Sequence, residues 1–160
     1  MYGPPGRAYV YFIYGNYFCV NAVCAPAKSP EAVLIRAIEP RFNIEWMKEN
    51  RPVSTARALT SGPSKLCMAL AIERELDGAD LSSHGSGLII AANPEAGQFT
   101  RDRGPVITTA RVGLSVAADW PLRFYLDQSE FISKRARGRE PAKPQANSSL
   151  MGLPKPSRVT

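Results

Sequence analysis

The chain has 160 residues and a mass of 17.5 kDa, enough for one domain with a sizeable core. Its 44% hydrophobic and 21% charged residues exclude wholesale disorder and fibrous repeats. The formal charge is +6, but from Lys134 onward seven Lys/Arg stand against Glu140 alone, leaving 13 basic and 13 acidic groups in residues 1–133. The body is therefore neutral, and net charge by itself makes no case for nucleic acid.

Residues 8–14 and 17–24 are rich in aromatic and β-branched types, and Gly15-Asn16 between them predicts a two-residue hairpin turn. A third apolar run, 32–38, reads as a strand carrying Arg36 inside it. Residues 42–50 read as a helix ending before Pro52. Ser61-Gly62-Pro63-Ser64-Lys65 opens a second helix, with Pro63 in its first turn and Leu66, Ala69 and Leu70 at helical spacing. Shorter strand candidates are 88–91, 106–114 and 122–126. Four prolines, few apolar residues and the basic excess predict a disordered tail from about residue 134 to the end. The expectation is a single α+β domain over 1–133, mainly antiparallel sheet with a few packed helices, followed by that tail at 134–160.

Three cysteines (Cys19, Cys24 and Cys67) cannot all pair, and with His84 as the only histidine they have no metal-site spacing. They read as buried free thiols of a reducing compartment. The apolar stretch 8–23 contains four tyrosines, Gly15-Asn16 and Asn21, which argues against a signal peptide or a membrane span.

Strand alternation sets Tyr9, Tyr11 and Ile13 on one face and Val10, Phe12 and Tyr14 on the other. Aromatic rings at a hairpin tip can stack on bases or wedge between them. Ordinary strand packing accounts as well for Tyr9 and Tyr11, and Tyr14 beside the turn fits either reading. Arg36 in an apolar strand needs partners. It could bridge to Glu39, buttress an exposed tyrosine or touch a phosphate, and the pattern leaves these open. Lys65 at a helix start suits an anion. The carboxylates are scattered, and no catalytic constellation stands out.

The stretch 6–21, beginning Gly6-Arg7-Ala8-Tyr9-Val10-Tyr11 and ending Cys19-Val20-Asn21, is followed in order by four further blocks. These are Val33-Leu34-Ile35-Arg36-Ala37-Ile38-Glu39-Pro40, Ser61-Gly62-Pro63-Ser64-Lys65-Leu66-Cys67, Arg111-Val112-Gly113-Leu114 and Pro121-Leu122-Arg123-Phe124-Tyr125. Together they resemble the alkyladenine (3-methyladenine) DNA glycosylase family over about residues 5–133. The resemblance implies a monomeric enzyme of base-excision repair, cytoplasmic and nucleoid-associated, with no membrane attachment. Its substrate is damaged double-stranded DNA, from which it flips an alkylated or deaminated purine and hydrolyses the N-glycosylic bond without metal or cofactor.

By the same resemblance Tyr11 is the pocket tyrosine stacked on the flipped base, and Asn21 excludes guanine by its exocyclic amine. Tyr14 is the minor-groove wedge, Arg36 supports it, and Lys65 contacts the phosphate backbone. Asn16 stands where the family often has a larger apolar residue, so its share of the wedge is smaller. Family members begin with a further portion carrying a Glu-Thr-Glu-Ala-Tyr-like motif and a histidine, whose glutamate activates the attacking water. The sequence as written opens after that portion, so no catalytic residue is assigned here, and the expectation is an incomplete domain that excises nothing by itself. The rival is a catalytically silent module that recognises distorted DNA or RNA.

Overall fold

A computed structural model of the protein describes residues 1–26, 28–112 and 119–132. Tyrosines and β-branched residues drive the first hairpin, β1 (Ala8–Ile13) and β2 (Tyr17–Val23), and a short β3 (Ala32–Leu34) adds to it antiparallel in the order β1-β2-β3. Three short helices follow: α1 (Ile44–Asn50), α2 (Ala56–Thr60) and α3 (Pro63–Ala69), with Pro63 at the helix start. A 3₁₀ turn (Arg74–Leu76), α4 (Ala96–Arg103) and the two-stranded antiparallel pair β4 (Val106–Thr109) and β5 (Arg123–Leu126) complete the described chain. The fold is α+β.

One face of the first sheet is the core. Ala8, Val10 and Val20 pack with Leu66 and Cys67 of α3 and with Ile72 and Leu81. A smaller cluster of Met47, Leu59 and Ala69 joins the three helices to one another. The first half of the outer edge of β1 is covered rather than left open. Ala8 N donates to Ala79 O, Gly78 N to Ala8 O, and Val10 N to the Asp77 carboxylate at 2.8 Å.

The connection in the hairpin differs from expectation. Ile13 pairs with Tyr17, so three residues, Tyr14, Gly15 and Asn16, form the loop. Register explains the difference. A two-residue turn would set Val10 opposite Asn21 and carry the amide to the core face. The observed register pairs Val10 with Val20 and sets Asn21 opposite Tyr9.

Other expectations are corrected too. The third strand ends at Leu34, with one further rung from Ile35 N to Val20 O. The backbone of Ile38 then turns to the end of α2, where Thr60 Oγ1 donates to Ile38 O at 2.7 Å. Residues 88–91 form no strand; Ile90 N donates to Leu81 O and nothing pairs alongside. The helices α2 and α4 were not expected, α2 because it is short and α4 because Phe99 is its only large apolar residue. The expected strand 106–114 stops at Thr109, and 113–114 lie outside the described residues, as does the whole expected tail, 134–160. Cys19 and Cys67 are buried free thiols, but Cys24 is exposed. Among the described residues no helix is long and apolar enough to cross a membrane, and no group of metal-ligating side chains converges.

Candidate nucleic-acid interface

Directly opposed residues of an antiparallel pair share a face. With Tyr9 opposite Asn21 and Tyr11 opposite Cys19, these four residues alternate with Val10 and Val20 and share the other face of the sheet, with Cys19 reaching the start of α3 at Ser64. Asn21 also pairs with Leu34 of β3, so the face runs Tyr9 and Tyr11, then Asn21 and Cys19, then Leu34. Helix packing fills the Val10 and Val20 side of the sheet.

Tyr9 and Tyr11 stack with ring centroids 5.4 Å apart and planes 18° from parallel. Burial is the main cause that pushes the Tyr11 hydroxyl up to about 12, helped by the neighbouring Cys19 and Tyr9 and opposed by the positive charge of Arg36. Asn21 is buried at 7% exposure, and its Nδ2 donates to Tyr9 O at 3.3 Å. That bond fixes which side of the amide is turned to the strand backbone.

Tyr14 does not continue the strand. Its φ of 53° and the 75° of Gly15 put two successive residues in the left-handed region. The ring leaves the sheet at the hairpin tip and is 85% exposed. Asn16, also exposed, closes the same loop. Exposure of this size in a large aromatic side chain is the property a wedge needs, and it lends Tyr14 nothing as packing.

Arg36 is exposed, not buried in a strand, and lies just beyond the end of β3. Its charge acts on Tyr11 and on Arg123. The bridge to Glu39 that the sequence left open goes elsewhere: Glu39 binds Arg103 and Arg41. Lys65 is exposed in the first turn of α3, its aliphatic stem lying over Gly62. The structure thus brings Tyr11 and Asn21 to one face, with the charge of Arg36 acting on Tyr11 from beyond the end of β3 and with Tyr14 and Asn16 at the tip of the same hairpin. Lys65 projects from a helix on the core side.

Sequence reasoning missed Arg123, whose guanidinium lies 4.7 Å from the centre of the Tyr125 ring. Burial lowers its pKa, with the like charge of Arg36 adding to the effect. The signal was present as an arginine between apolar residues in 121–125, the same pattern that singled out Arg36. A groove of about 1360 Å³ runs between β3 and β5, lined by Arg36, Arg123, Phe42 and Trp120 among others. It adjoins the Tyr11 face at Arg36 and includes neither Tyr11 nor Asn21.

Comparison with known proteins gives a consistent result. The family model described as methylpurine-DNA glycosylase matches residues 1–130. A protein of Carboxydothermus hydrogenoformans named "Putative 3-methyladenine DNA glycosylase" is 41% identical over 135 residues, which cover 84% of this chain and 68% of that protein. Proteins of the same name from Agrobacterium fabrum and Methanoculleus marisnigri are 43% and 42% identical over 135 residues, covering 84% of this chain and 64% and 68% of theirs. The chain spans about two thirds of the length of these relatives.

Proposed function

The chain belongs to the methylpurine-DNA glycosylase family, and from that premise we propose that it recognises an alkylated or deaminated purine in duplex DNA through the Tyr11 and Asn21 face of its first sheet. The observation that carries the proposal is the pairing of an 85% exposed tyrosine at the hairpin tip with the Tyr11 and Asn21 face behind it. Taking a base out of the stack costs a few kcal/mol. Tyr14 enters the space left behind and recovers part of that cost by stacking on its new neighbours, about 1–3 kcal/mol per base contacted.

The extruded purine then stacks on Tyr11. The ring is already held against Tyr9, so little freedom is lost on binding. Asn21, fixed by its bond to Tyr9 O, presents an amide edge that leaves no room for the exocyclic amine of guanine. An undamaged purine therefore gains less than a damaged one. Arg36 brings positive charge next to Tyr11 and draws the backbone of the flipped nucleotide towards the face. Lys65 adds a phosphate contact that carries no sequence information.

The groups acting on Tyr11 are Cys19, Tyr9 and Arg36, none of them a carboxylate. Glu39, which follows β3, is committed to Arg103 and held below its ordinary value, so it is a poor base for activating water. The proposal for this chain is therefore recognition of the damaged base, with the water-activating step assigned neither to Glu39 nor to the groups acting on Tyr11. Titration of labelled duplexes tests the reading. The chain should bind a duplex holding one ethenoadenine more tightly than the undamaged duplex, and Tyr14→Ala should remove most of that preference. Equal affinity for both duplexes, unchanged in Tyr14→Ala, would sink it.

A further inference from the structure

Cys19 lies directly opposite Tyr11, which places the two Cβ atoms about 5 Å apart on the same face. It is 3% exposed. Its Sγ lies 3.5 Å from Oγ of Ser64, the second residue of α3. The thiol is also close enough to the Tyr11 phenol to help burial raise its pKa. A tyrosine ring turns about only two side-chain bonds. With Tyr9 stacked beside it and Cys19, itself held by Ser64, directly opposite on the next strand, the ring of Tyr11 has little freedom left.

We infer that Cys19, fastened in turn by Ser64, is a positioning residue that holds the Tyr11 ring in the orientation that receives the flipped purine. The inference rests on the function proposed above. It also ties that ring to the helix carrying Lys65, so the base-stacking surface and the backbone contact move as one body. The cysteine is therefore more than a small core residue, and an apolar residue of its size does not replace it.

The test uses the full chain and anisotropy titrations with two duplexes, one holding a single ethenoadenine and one undamaged, with each variant first checked for cooperative melting. Tyr11→Ala should abolish the preference for the lesion. Cys19→Ala should lower it roughly three- to tenfold, the size of the one hydrogen bond it loses to Ser64, and Ser64→Ala should lower it in the same direction. Cys19→Ser, which keeps a hydroxyl for Ser64, should restore it. The phenol titration of Tyr11, followed by NMR, should fall from about 12 in Cys19→Ala and not in a core variant such as Leu66→Val. If Cys19→Ala does not melt cooperatively, Ser64→Ala decides. Full preference in Cys19→Ala and Ser64→Ala, with Tyr11→Ala deficient, overturns the inference alone. Full preference in Tyr11→Ala overturns the functional reading as well.

Discussion

Glu39 and Arg103 are joined by two hydrogen bonds, Nε to Oε2 at 2.8 Å and Nη2 to Oε1 at 2.7 Å, across 64 residues of sequence. Arg41 approaches the same carboxylate at 3.3 Å, and both guanidiniums lie over the ring of Phe99, 5.4 and 5.7 Å from its centre. One carboxylate thus ties the chain leaving the first sheet to α4, and through it to β4 and β5.

This bridge predicts an acid-sensitive fold. The hydrogen bond from Arg103 holds Glu39 below its ordinary 4.5. A depressed folded-state value means that the contribution is present above about 4.5 and is lost as pH falls through the folded value. Glu39→Gln should lower the melting temperature at pH 7 and flatten the decline below pH 4.5. A variant whose acid limb matches the parent's would contradict this.

Tyr11 predicts a second pH effect at the alkaline end. Its folded-state value, raised to about 12, exceeds the ordinary 10.0, so folding favours the neutral phenol. That contribution is complete below pH 10 and is lost as pH rises from 10 towards 12. Tyr11→Phe should remove this component from a plot of melting temperature against pH. An unchanged alkaline limb would count against it.

Gly15 sets the direction in which Tyr14 leaves the hairpin. Nothing lies within 4 Å of a Cβ built there, so the only penalty for alanine is its φ of +75°, about 1–2 kcal/mol for a left-handed residue. Tyr14 already bears a strain of this kind. Gly15→Ala should lower stability by that amount in denaturant melts and also weaken lesion preference, because relief of the strain re-aims Tyr14. A loss of stability with preference intact would separate the loop conformation from recognition.

Lys65 and Tyr14 should fail differently. A phosphate contact is paid for in released counterions, so Lys65→Ala should shrink the slope of log affinity against log salt by about 0.9 on every duplex. Lesion preference should not change. An altered preference with an unchanged slope would assign Lys65 another role.

Much of this was legible in the sequence. The aromatic and β-branched runs gave both hairpin strands, and Pro63 marked the start of α3. The hairpin loop was misjudged because Gly15-Asn16 is a strong local turn signal, whereas register is decided by which face Val10 and Asn21 must occupy, a property of the folded sheet. Arg36 misled for a similar reason. Apolar neighbours suggested burial, but the strand ends two residues earlier, when Ile38 turns to Thr60. The role of Cys19 was illegible, since its link to Ser64 spans 45 residues of chain. The polar α4 offers no apolar stripe to read; its place comes from Arg103 and Phe99, whose partners lie far off in sequence.

The most direct test of the central claim is the fluorescence of ethenoadenine placed in the middle of a duplex, recorded as the chain is added. Stacked between neighbouring bases its emission is quenched, and movement of the base onto Tyr11 changes that environment. The account predicts a saturable change with the parent chain, largely lost in Tyr14→Ala and altered in Tyr11→Ala. Binding that leaves the emission unchanged, or an emission change indifferent to both tyrosines, would contradict it.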